Sequence, residues 1–398
     1  AGSSSLKFKL YANPQNDVIL SGLAERIGEQ SGRIKAESSK DKFEKELPLE
    51  NHQEALKALV HSWVSLTGDA QLGDKIVLVG HRVVHGGESF HKPALITEQV
   101  KDTIRKLSVL APLHNPANLT GIEACEQIFT NSIQVAVFDT AFHQSMEAKA
   151  YRYAVPNKLY KDEGVRVYGF HGTSHKYVSE KAISYLKKKN VPAKNIVTLH
   201  LGNGCSMAAV KNGACVDTTM GLSPLAGLMM GTRSGDIDPS IYLFLSKKGY
   251  SVEAIDKMLN KESGLVGIAG ENDLRELSRS YENGDKDAVL ALEMYIYRIK
   301  KFIGAYAASM NGLDAIVFTA GVGENSSLVR SLVCSELSYL GIALDEAANL
   351  NRASSQILTS LSNFSDLGLF FSSSYLVTKA NPASKPAALA IIHSISSW

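Results

Sequence analysis

The sequence predicts an α/β fold built from two related domains. Short runs of β-branched and other apolar residues, such as residues 135–138 and 315–318, are typical of buried strands. Longer stretches with helical periodicity, such as residues 285–310, alternate with these runs along the chain. Because 398 residues exceed what one hydrophobic core normally holds, we expect two domains.

The first half of the chain begins with a predicted hairpin. The predicted strands of this half lie at residues 6–11 and 18–20, which form the hairpin, and at residues 76–79 and 135–138. The first strand alternates apolar and polar residues, whereas the last two are continuous apolar runs that end at Gly80 and Asp139. Charges of mixed sign at residues 38–46 indicate a solvated loop or edge. Helical periodicity predicts helices at residues 51–66, 97–110 and 118–129.

The second half repeats this pattern. Its predicted strands lie at residues 196–199, 206–210, 214–216, 315–318 and 375–377, and its predicted helices include residues 285–310 and 386–395. Asn212-Gly213 supplies a hairpin turn between two of these strands. Each half has a turn of small residues beside a hairpin, at residues 2–5 and 202–206. We therefore expect a duplicated domain with a cleft between the two copies.

Composition argues against several classes of partner. The chain has 42 basic and 40 acidic residues, so its net charge of +2 gives no reason to expect nucleic acid or a membrane surface. No apolar run approaches the roughly 18 residues of a membrane span. The four cysteines are scattered, which predicts reduced thiols in a cytoplasmic location. The sequence begins at Ala1 within what resembles a longer motif, so we expect that further residues precede it. If these residues include a targeting segment, the expected location is an organellar lumen.

The segment at residues 230–239 carries most of the functional signal. It places Arg233 among small, turn-forming residues, with Asp236 and Asp238 close behind. Glycine lets backbone approach a ligand, and a guanidinium suits carboxylate or phosphate. Arg82 has a similar glycine-containing context. A lone arginine is usually a solvated charge, but two in settings of low charge predict a clamp for a small carboxylate and a transferring phosphoryl group.

Two glycine-containing turns suggest a nucleotide. Gly202-Asn203-Gly204 and Gly321-Val322-Gly323 each begin a G-x-G pattern but lack its third glycine, which argues against a Rossmann site. No Gly-Lys pair is present, so a P-loop is also excluded. Either turn alone could simply reverse the chain. Together with residues 1–5 they favour backbone N–H groups that face phosphate.

Asp139 and four histidines complete the candidates. Asp139 ends a strand, where it is either functional or a helix cap. His81 and His85 are four residues apart, as are His171 and His175, but no carboxylates complete a zinc site. We expect hydrogen-bonding histidines. A helix is predicted to start at residues 171–175, with Thr173 or Ser174 as its N-terminal cap. Of the four histidines, His171 is the candidate for stabilising developing negative charge.

Taken together, these segments resemble the acetate kinase family, within the superfamily of acetate and sugar kinases, heat-shock chaperones and actin. The matching segments are residues 1–8, 81–88, 110–116, 138–143, 168–175, 200–204, 219–238, 273–275 and 321–326. The resemblance implies two ribonuclease-H-like domains of the actin-like ATPase type, usually in a homodimer. The implied domains are residues 1–143 with 380–398, closed by the C-terminal helix, and residues 144–379, which bind nucleotide and dimerise.

The resemblance also implies roles for individual residues. The implied catalytic residues are Asp139, His171 and Arg233. Arg82 would hold the acyl substrate, with Val84, Leu113 and Pro224 as its apolar wall. The residues implied to bind ATP are Lys7, His200, Leu201, Gly202, Asn203 and Gly204 at the phosphates, and Asp273, Leu274, Arg275, Gly321, Val322, Gly323, Glu324 and Asn325 at the adenosine end.

Two departures from the family pattern concern the phosphate and metal sites. The family has an asparagine before the position of Ala1. It also has a C-terminal glutamate that helps bind Mg²⁺, and Pro382 stands in that position here. A proline side chain cannot bind a cation. The departure therefore implies metal binding that is weakened, rearranged, or carried by Asp139 and water, since Mg²⁺ often keeps several waters.

The implied reaction is reversible transfer of the γ-phosphoryl group of ATP to acetate, which gives acetyl phosphate and ADP. A carboxylic acid with a pKa of roughly 4–5 is already ionised at neutral pH, so we expect Asp139 to orient the metal or substrate rather than accept a proton. The alternatives are a propionate or other short-chain acid kinase, a chaperone-like ATPase, a catalytically weakened ATP-binding protein and a kinase that uses pyrophosphate.

Overall fold

The computed structural model describes residues 4–11, 18–112, 114–350, 376–378 and 389–393. The chain divides into two compact units, Ala1–Ala141 and Phe142–Trp398. The predictions for Leu113, Pro382 and residues 1–3 concern positions outside the described residues.

The described residues of the first unit form two sheets and three α-helices. Its strands are β1 Ser5–Tyr11, β2 Val18–Glu25, β3 Gly32–Ser38, β4 Lys42–Leu47, β5 Leu78–Val83, β6 Ala94–Leu95 and β7 Ile133–Phe138. Its helices are α1 His52–Thr67, α2 Glu98–Lys106 and α3 Asn115–Ile128. Strands β1 to β4 form an antiparallel meander, whereas β5 and β7 pair in parallel and β6 adds to β7. Helix α1 begins at the cap Asn51 and ends at the left-handed Gly68.

Two apolar clusters hold this unit together. The first lies between the meander and α1, where Trp63 stacks on Phe129 with ring centroids 5.9 Å apart. The second lies under β5 and β7, where Phe138 packs with Ile104 and Ile122. Phe138 directly precedes Asp139, so the second cluster anchors the strand end at which that carboxylate lies.

Within its described ranges, the second unit contains a six-stranded sheet together with helices. Its helices are α4 Ala148–Tyr151, α5 Asn157–Glu163, α6 Gly172–Lys188, α7 Ser240–Lys247, α8 Val252–Lys261, α9 Gly264–Ala269, α10 Leu274–Glu282, α11 Lys286–Met310, α12 Ala320–Asn325, α13 Ser327–Cys334 and α14 Glu346–Leu350. Its strands are β8 Asn195–Leu201, β9 Cys205–Lys211, β10 Ala214–Thr218, β11 Ala315–Thr319, β12 Leu376–Thr378 and β13 Leu389–His393.

The sheet order is β10-β9-β8-β11-β13-β12. Strands β8, β9 and β10 are antiparallel neighbours, and β11 pairs in parallel with both β8 and β13. The turn between β9 and β10 uses Asn212 and Gly213 at positive φ, as the Asn-Gly pair predicts. The carboxyl ends of β8 and β11 therefore lie side by side, and each leads into a glycine-containing segment of the candidate site.

Most predicted elements occur, with shifted ends and two corrections. Strand β5 does not end at Gly80 but continues to Val83, because residues 78–83 pair one for one with β7. The predicted helix at residues 386–395 is wrong: Leu389–His393 is a strand that pairs with β11 of the second unit. The predicted boundary after residue 143 and the assignment of residues 380–398 stay predictions.

All four cysteines are free thiols and all are buried, which agrees with the predicted reduced state. No helix within the described ranges is both long enough and apolar enough to cross a membrane.

Candidate functional site

The arginine segment of the second unit is a loop held by the start of α9. The backbone N–H groups of Ser263, Leu265 and Val266 donate to the carbonyls of Thr232, Met230 and Gly231, at 3.1, 2.9 and 3.0 Å. Gly264 adopts a φ of +67°, and a Cβ on it would lie 2.1 Å from the Met230 carbonyl oxygen. The loop is therefore fixed along its length by backbone contacts.

The same loop packs against the β8–β9 turn. Gly231 donates its N–H to the carbonyl of Asn203 at 2.9 Å. A Cβ on Gly231 would lie 1.9 Å from Oδ1 of Asn203. Asn272 donates to the same Oδ1 at 3.3 Å. Glycine at position 231 thus lets the two predicted ligand-binding segments touch.

Arg233 is partly buried and is held by uncharged groups. Its Nη1 donates to the Pro224 carbonyl at 3.2 Å and lies 3.7 Å from Sδ of Met230. Burial lowers the pKa of Arg233, although a guanidinium stays charged in proteins. Among the described residues, no carboxylate forms an ion pair with it. A desolvated cation in this state is suited to an anionic ligand.

A chain of hydrogen bonds surrounds His171. Its Nδ1 lies 2.8 Å from Oγ of Ser206, and Nε2 of His175 lies 2.7 Å from that same oxygen. Nδ1 of His175 lies 2.7 Å from Oγ1 of Thr198. The ring of His171 also stacks on that of His200, with centroids 4.1 Å apart. The prediction of hydrogen-bonding histidines is therefore confirmed for His171 and His175.

His171 itself is the residue before α6 and adopts φ 56°, a conformation that non-glycine residues rarely use. The predicted caps are wrong, because neither Thr173 nor Ser174 caps α6; Ser174 lies 2.9 Å from Nδ1 of His200 instead. Burial holds the pKa of His175 well below its ordinary value, so this imidazole is neutral.

In the first unit, Arg82 and Asp139 form an ion pair. Arg82 lies near the end of β5, and Asp139 follows the paired strand β7, so both reach the same sheet edge. Nε of Arg82 lies 3.0 Å from both carboxylate oxygens of Asp139, and Nη2 also donates to Oδ2. Asp139 is 2% exposed and Arg82 is 39% exposed. The nearby carboxylate raises the pKa of Arg82.

Two asparagines of α3 hold the chain that follows Arg82. The N–H of Val84 donates to Oδ1 of Asn118 at 2.9 Å, and that of His85 donates to Oδ1 of Asn115 at 3.0 Å. Nδ1 of His85 accepts from Gly87 at 3.1 Å, and burial lowers the pKa of His85 to about 4. The backbone around Val84 is therefore rigidly placed.

The Gly202–Gly204 segment is a tight turn between β8 and β9. Gly202 donates its N–H to the Gly204 carbonyl at 3.2 Å, and Sγ of Cys205 donates to the Gly202 carbonyl at 3.1 Å. Leu201 is fully buried. A Cβ on Gly204 would lie 3.3 Å from Nη1 of Arg233 and 3.9 Å from Nε2 of His171. The bare α-carbon of Gly204 thus faces both candidate catalytic side chains of this unit.

The second glycine segment differs from its predicted form. Gly321, Val322, Gly323, Glu324 and Asn325 are not a turn but lie in the short helix α12. Ala320, at φ 66°, precedes them, and its N–H donates to Oε1 of Glu324 at 3.1 Å. The buried Arg330 donates to the Gly323 and Glu324 carbonyls at 3.1 and 2.9 Å. Glu324 thus contacts the start of its own helix.

The remaining predicted nucleotide residues lie apart in the sequence. Asp273 caps α10 by accepting from the Arg275 N–H at 2.9 Å, and the two side chains form an ion pair at 2.6 Å. Leu274 between them is buried. Lys7 is an exposed residue of β1 in the first unit.

Asp139 is the predicted metal ligand, and its surroundings fit that role in a limited way. In the part of the chain that the structure describes, no three His, Cys, Asp or Glu side chains group as metal ligands. Mg²⁺ is commonly held by one or two carboxylates together with phosphate oxygens and water. The Asp139 carboxylate, which already accepts from Arg82, fits a Mg²⁺ site completed by phosphate and water. It does not fit a site in which every metal ligand comes from the protein.

Sequence reasoning missed the small polar residues behind these side chains. Ser206 and Thr198 support the histidines, whereas Asn115 and Asn118 support the strand end after Arg82. The one signal available was a hydroxyl residue at an inward position of a strand that is otherwise apolar.

Comparisons with known proteins match nearly the whole chain. The model of the Acetokinase family matches residues 1–366. The chain is 51% identical over 355 residues to the acetate kinase of Flavobacterium johnsoniae, with 89% of each sequence covered. The crystal structure of the Porphyromonas gingivalis acetate kinase has 39% identity and a TM-score of 0.84, covering 99% of this chain and 94% of that chain. A propionate kinase structure from Francisella tularensis has 41% identity, the same TM-score and the same coverage. The predicted α/β fold class is confirmed by these likenesses.

Proposed function

The chain belongs to the acetokinase family, and we propose from this premise that it transfers the γ-phosphoryl group of ATP reversibly to acetate, giving acetyl phosphate and ADP. Kinase chemistry of this kind brings two anions together, so its main requirement is fixed positive charge. The observation that carries the proposal is the desolvated guanidinium of Arg233, which has no carboxylate partner within the described ranges.

Arg233 and His171 would act on the phosphoryl group. Nη1 of Arg233 and Nε2 of His171 both lie near the α-carbon of Gly204, so the two side chains converge beside the turn. Donors preorganised around developing charge are the usual source of rate enhancement in phosphoryl transfer. The turn at residues 200–204 would supply backbone N–H groups to the ATP phosphates, together with Lys7.

Arg82 would bind the acyl carboxylate. Its guanidinium keeps one side exposed while Asp139 holds the other, so the pair can present the remaining N–H groups in a fixed direction. We therefore assign Asp139 to orienting Arg82. It need not accept a proton, because the carboxylic acid substrate is already ionised at neutral pH. Val84, Leu113 and Pro224 would form the apolar wall for the methyl group.

The adenosine end would lie at Asp273, Leu274, Arg275 and the segment from Gly321 to Asn325. Asp139 would help to hold Mg²⁺ through water and phosphate oxygens, and the ion would neutralise charge on the phosphoryl oxygens.

A donor and acid matrix tests this function. ATP or pyrophosphate is incubated with acetate, propionate or butyrate, and acyl phosphate is trapped with hydroxylamine. We expect product with ATP and the two shorter acids, because one methylene changes discrimination by only about 1–3 kcal/mol. Because the chain is similar to both an acetate kinase and a propionate kinase, the rates with acetate and with propionate should be compared directly. Absence of acyl phosphate with ATP in every case would reject the proposal.

A catalytically weakened ATP-binding protein is the second candidate, and Pro382 favours it because the family has a metal-binding glutamate there. Calorimetry separates the two possibilities. A kinase should bind ATP more tightly with Mg²⁺ than without it, whereas a protein that has lost its metal site should bind ATP equally in both conditions.

We also propose that the protein is a homodimer that pairs through α7. This helix exposes Ile241, Leu243 and Phe244, which are 40, 62 and 60% exposed in the single chain. Exposed apolar side chains of this kind are typical of a subunit interface. A second copy is the partner that fits, because the same helix on each chain can pair about a two-fold axis.

A further inference from the structure

Ser206 lies between two imidazoles. Its Oγ is 2.8 Å from Nδ1 of His171 and 2.7 Å from Nε2 of His175, and the serine is fully buried. Beyond it, Nδ1 of His175 lies 2.7 Å from Oγ1 of Thr198. The four residues thus form one continuous chain of short hydrogen bonds from the interior of the sheet to His171.

A serine hydroxyl carries one proton, so it can donate to only one of the two rings and must accept from the other. Two arrangements satisfy the chain. In the first, Ser206 donates to His171 and accepts from His175, which leaves the His171 proton on Nε2. In the second, His171 donates from Nδ1 to Ser206 and Ser206 donates to Nε2 of His175, so a neutral His171 holds its proton on Nδ1. The tautomers of the two histidines are therefore coupled through Ser206.

The surroundings of His171 favour the first arrangement. Arg233 lies on its Nε2 side, next to Gly204, and a guanidinium there disfavours a second positive charge on the ring. His200 of β8 stacks on the ring, and His175 faces it from α6 through Ser206. A neutral His171 can donate to a phosphoryl oxygen only from Nε2, which requires Nδ1 to accept from Ser206.

The far end of the chain accommodates this arrangement. Thr198 has two acceptors for its hydroxyl proton, the Ala208 carbonyl at 3.4 Å and Nδ1 of His175 at 2.7 Å. The nearer acceptor gives the better hydrogen bond. His175 is neutral, so it can accept at Nδ1 and donate from Nε2.

We propose that Ser206, backed by His175 and Thr198, is a positioning residue that keeps neutral His171 protonated on Nε2, so that it donates a hydrogen bond to the transferring phosphoryl group. This inference rests on the proposed function, and it adds residues that act through His171 rather than on the substrate.

The test compares kcat for Ser206→Ala with wild type across pH. At about pH 8 we expect kcat to fall about 10-fold with little change in KM, a typical loss for a residue that orients a functional side chain. We expect this deficit at every pH at which His171 is neutral. Taking the ratio of the two enzymes at each pH cancels other titrations.

Ser179→Ala is the matched control. Ser179 is also fully buried, but its Oγ donates to the Lys176 carbonyl of its own helix at 2.9 Å. This variant should keep wild-type kcat at every pH. A Ser206→Ala enzyme as active as wild type at about pH 8, or a loss that appears in KM instead of kcat, would overturn the inference. Failure of the wild-type enzyme to make acyl phosphate would instead reject the proposed function.

A second measurement does not depend on the fold of the variant. Imidazole ¹⁵N shifts of the wild-type protein at about pH 8 distinguish protonated from unprotonated ring nitrogens, and His171 is assigned by its absence in His171→Gln. We expect a protonated Nε2 and an accepting Nδ1. The opposite tautomer would contradict the proposal, even if Ser206→Ala is poorly folded.

Discussion

At the scale of single residues, Arg233 is a partly buried cation whose side chain donates to a carbonyl and lies against a thioether. We expect Arg233→Ala to lower turnover about 10³-fold, because phosphoryl transfer depends strongly on such an arginine. The melting temperature should change little, since Arg233 contributes only hydrogen bonds to uncharged groups. Arg279→Ala is the control, because Arg279 is an exposed residue paired with Glu276. Acyl phosphate formation near the wild-type rate would contradict the assignment.

The Arg82–Asp139 pair makes a prediction about stability. Arg82→Ala removes the hydrogen bonds from a buried carboxylate, which should cost about 1–3 kcal/mol. Arg82→Ala/Asp139→Ala removes the carboxylate as well, so it should be more stable than the single variant. Urea unfolding measures both in a Trp398→Phe background, where Trp63 reports on the first unit. A double variant less stable than Arg82→Ala would argue against this account.

His85 makes stability depend on pH. Burial lowers its pKa from 6.5 to about 4 in the folded protein. Between these values the unfolded chain binds more protons, so acidification favours unfolding. The contribution of His85 is fully present above about pH 6.5 and is lost towards pH 4, a change of about 3 kcal/mol.

His85→Asn tests this, because an amide oxygen can still accept from Gly87. Its unfolding free energy should depend less on pH in that window than that of wild type. His91→Asn, at an exposed position of the same unit, should keep the wild-type dependence. Identical pH dependence in wild type and His85→Asn would show that His85 does not titrate as described.

At the scale of elements, the contact between the arginine loop and the β8–β9 turn depends on Gly231. A Cβ there would lie 1.9 Å from Oδ1 of Asn203, so Gly231→Ala must push the two segments apart. We expect a loss of about 100-fold in kcat/KM, because small displacements of catalytic groups have effects of this size. Gly304→Ala, within α11, is the control, since its Cβ would lie at an ordinary contact distance of 3.6 Å from the hydroxyl of Tyr339. Steady-state kinetics of both variants decides the matter.

Elements were predictable where the signal is local. The alternation in β1 and the Asn-Gly turn after β9 are visible in a few residues. Strand β5 was cut short at Gly80 because only its pairing with β7 shows that residues 81–83 remain extended. The sequence predicts a helix at residues 386–395, which contain β13. The strand becomes apparent only from its pairing with β11, which is distant in sequence.

The candidate site divides in the same way. Arg82, Asp139, His171 and Arg233 were predictable because charged or titratable residues next to glycines or strand ends are unusual. Ser206 was not, because a hydroxyl residue in a strand has many ordinary uses and its two histidine partners become visible only when α6 packs on β9.

At the scale of the whole molecule, α7 should determine the oligomeric state. We expect Leu243→Asp/Phe244→Asp to be a monomer in light scattering, because charge on an apolar interface opposes association. Val109→Asp, at an even more exposed apolar position of the first unit, should leave the oligomeric state unchanged. A wild-type protein that is already monomeric would reject the proposed dimer.

The buried thiols have a practical consequence. Burial raises the pKa of Cys205 to about 11 and that of Cys125 and Cys334 to about 12, and it raises that of Cys215 further. Maleimide dyes react with accessible thiolates, so the native chain offers them almost no target. A cysteine introduced on the surface of each unit could then carry a fluorophore without removal of any natural thiol.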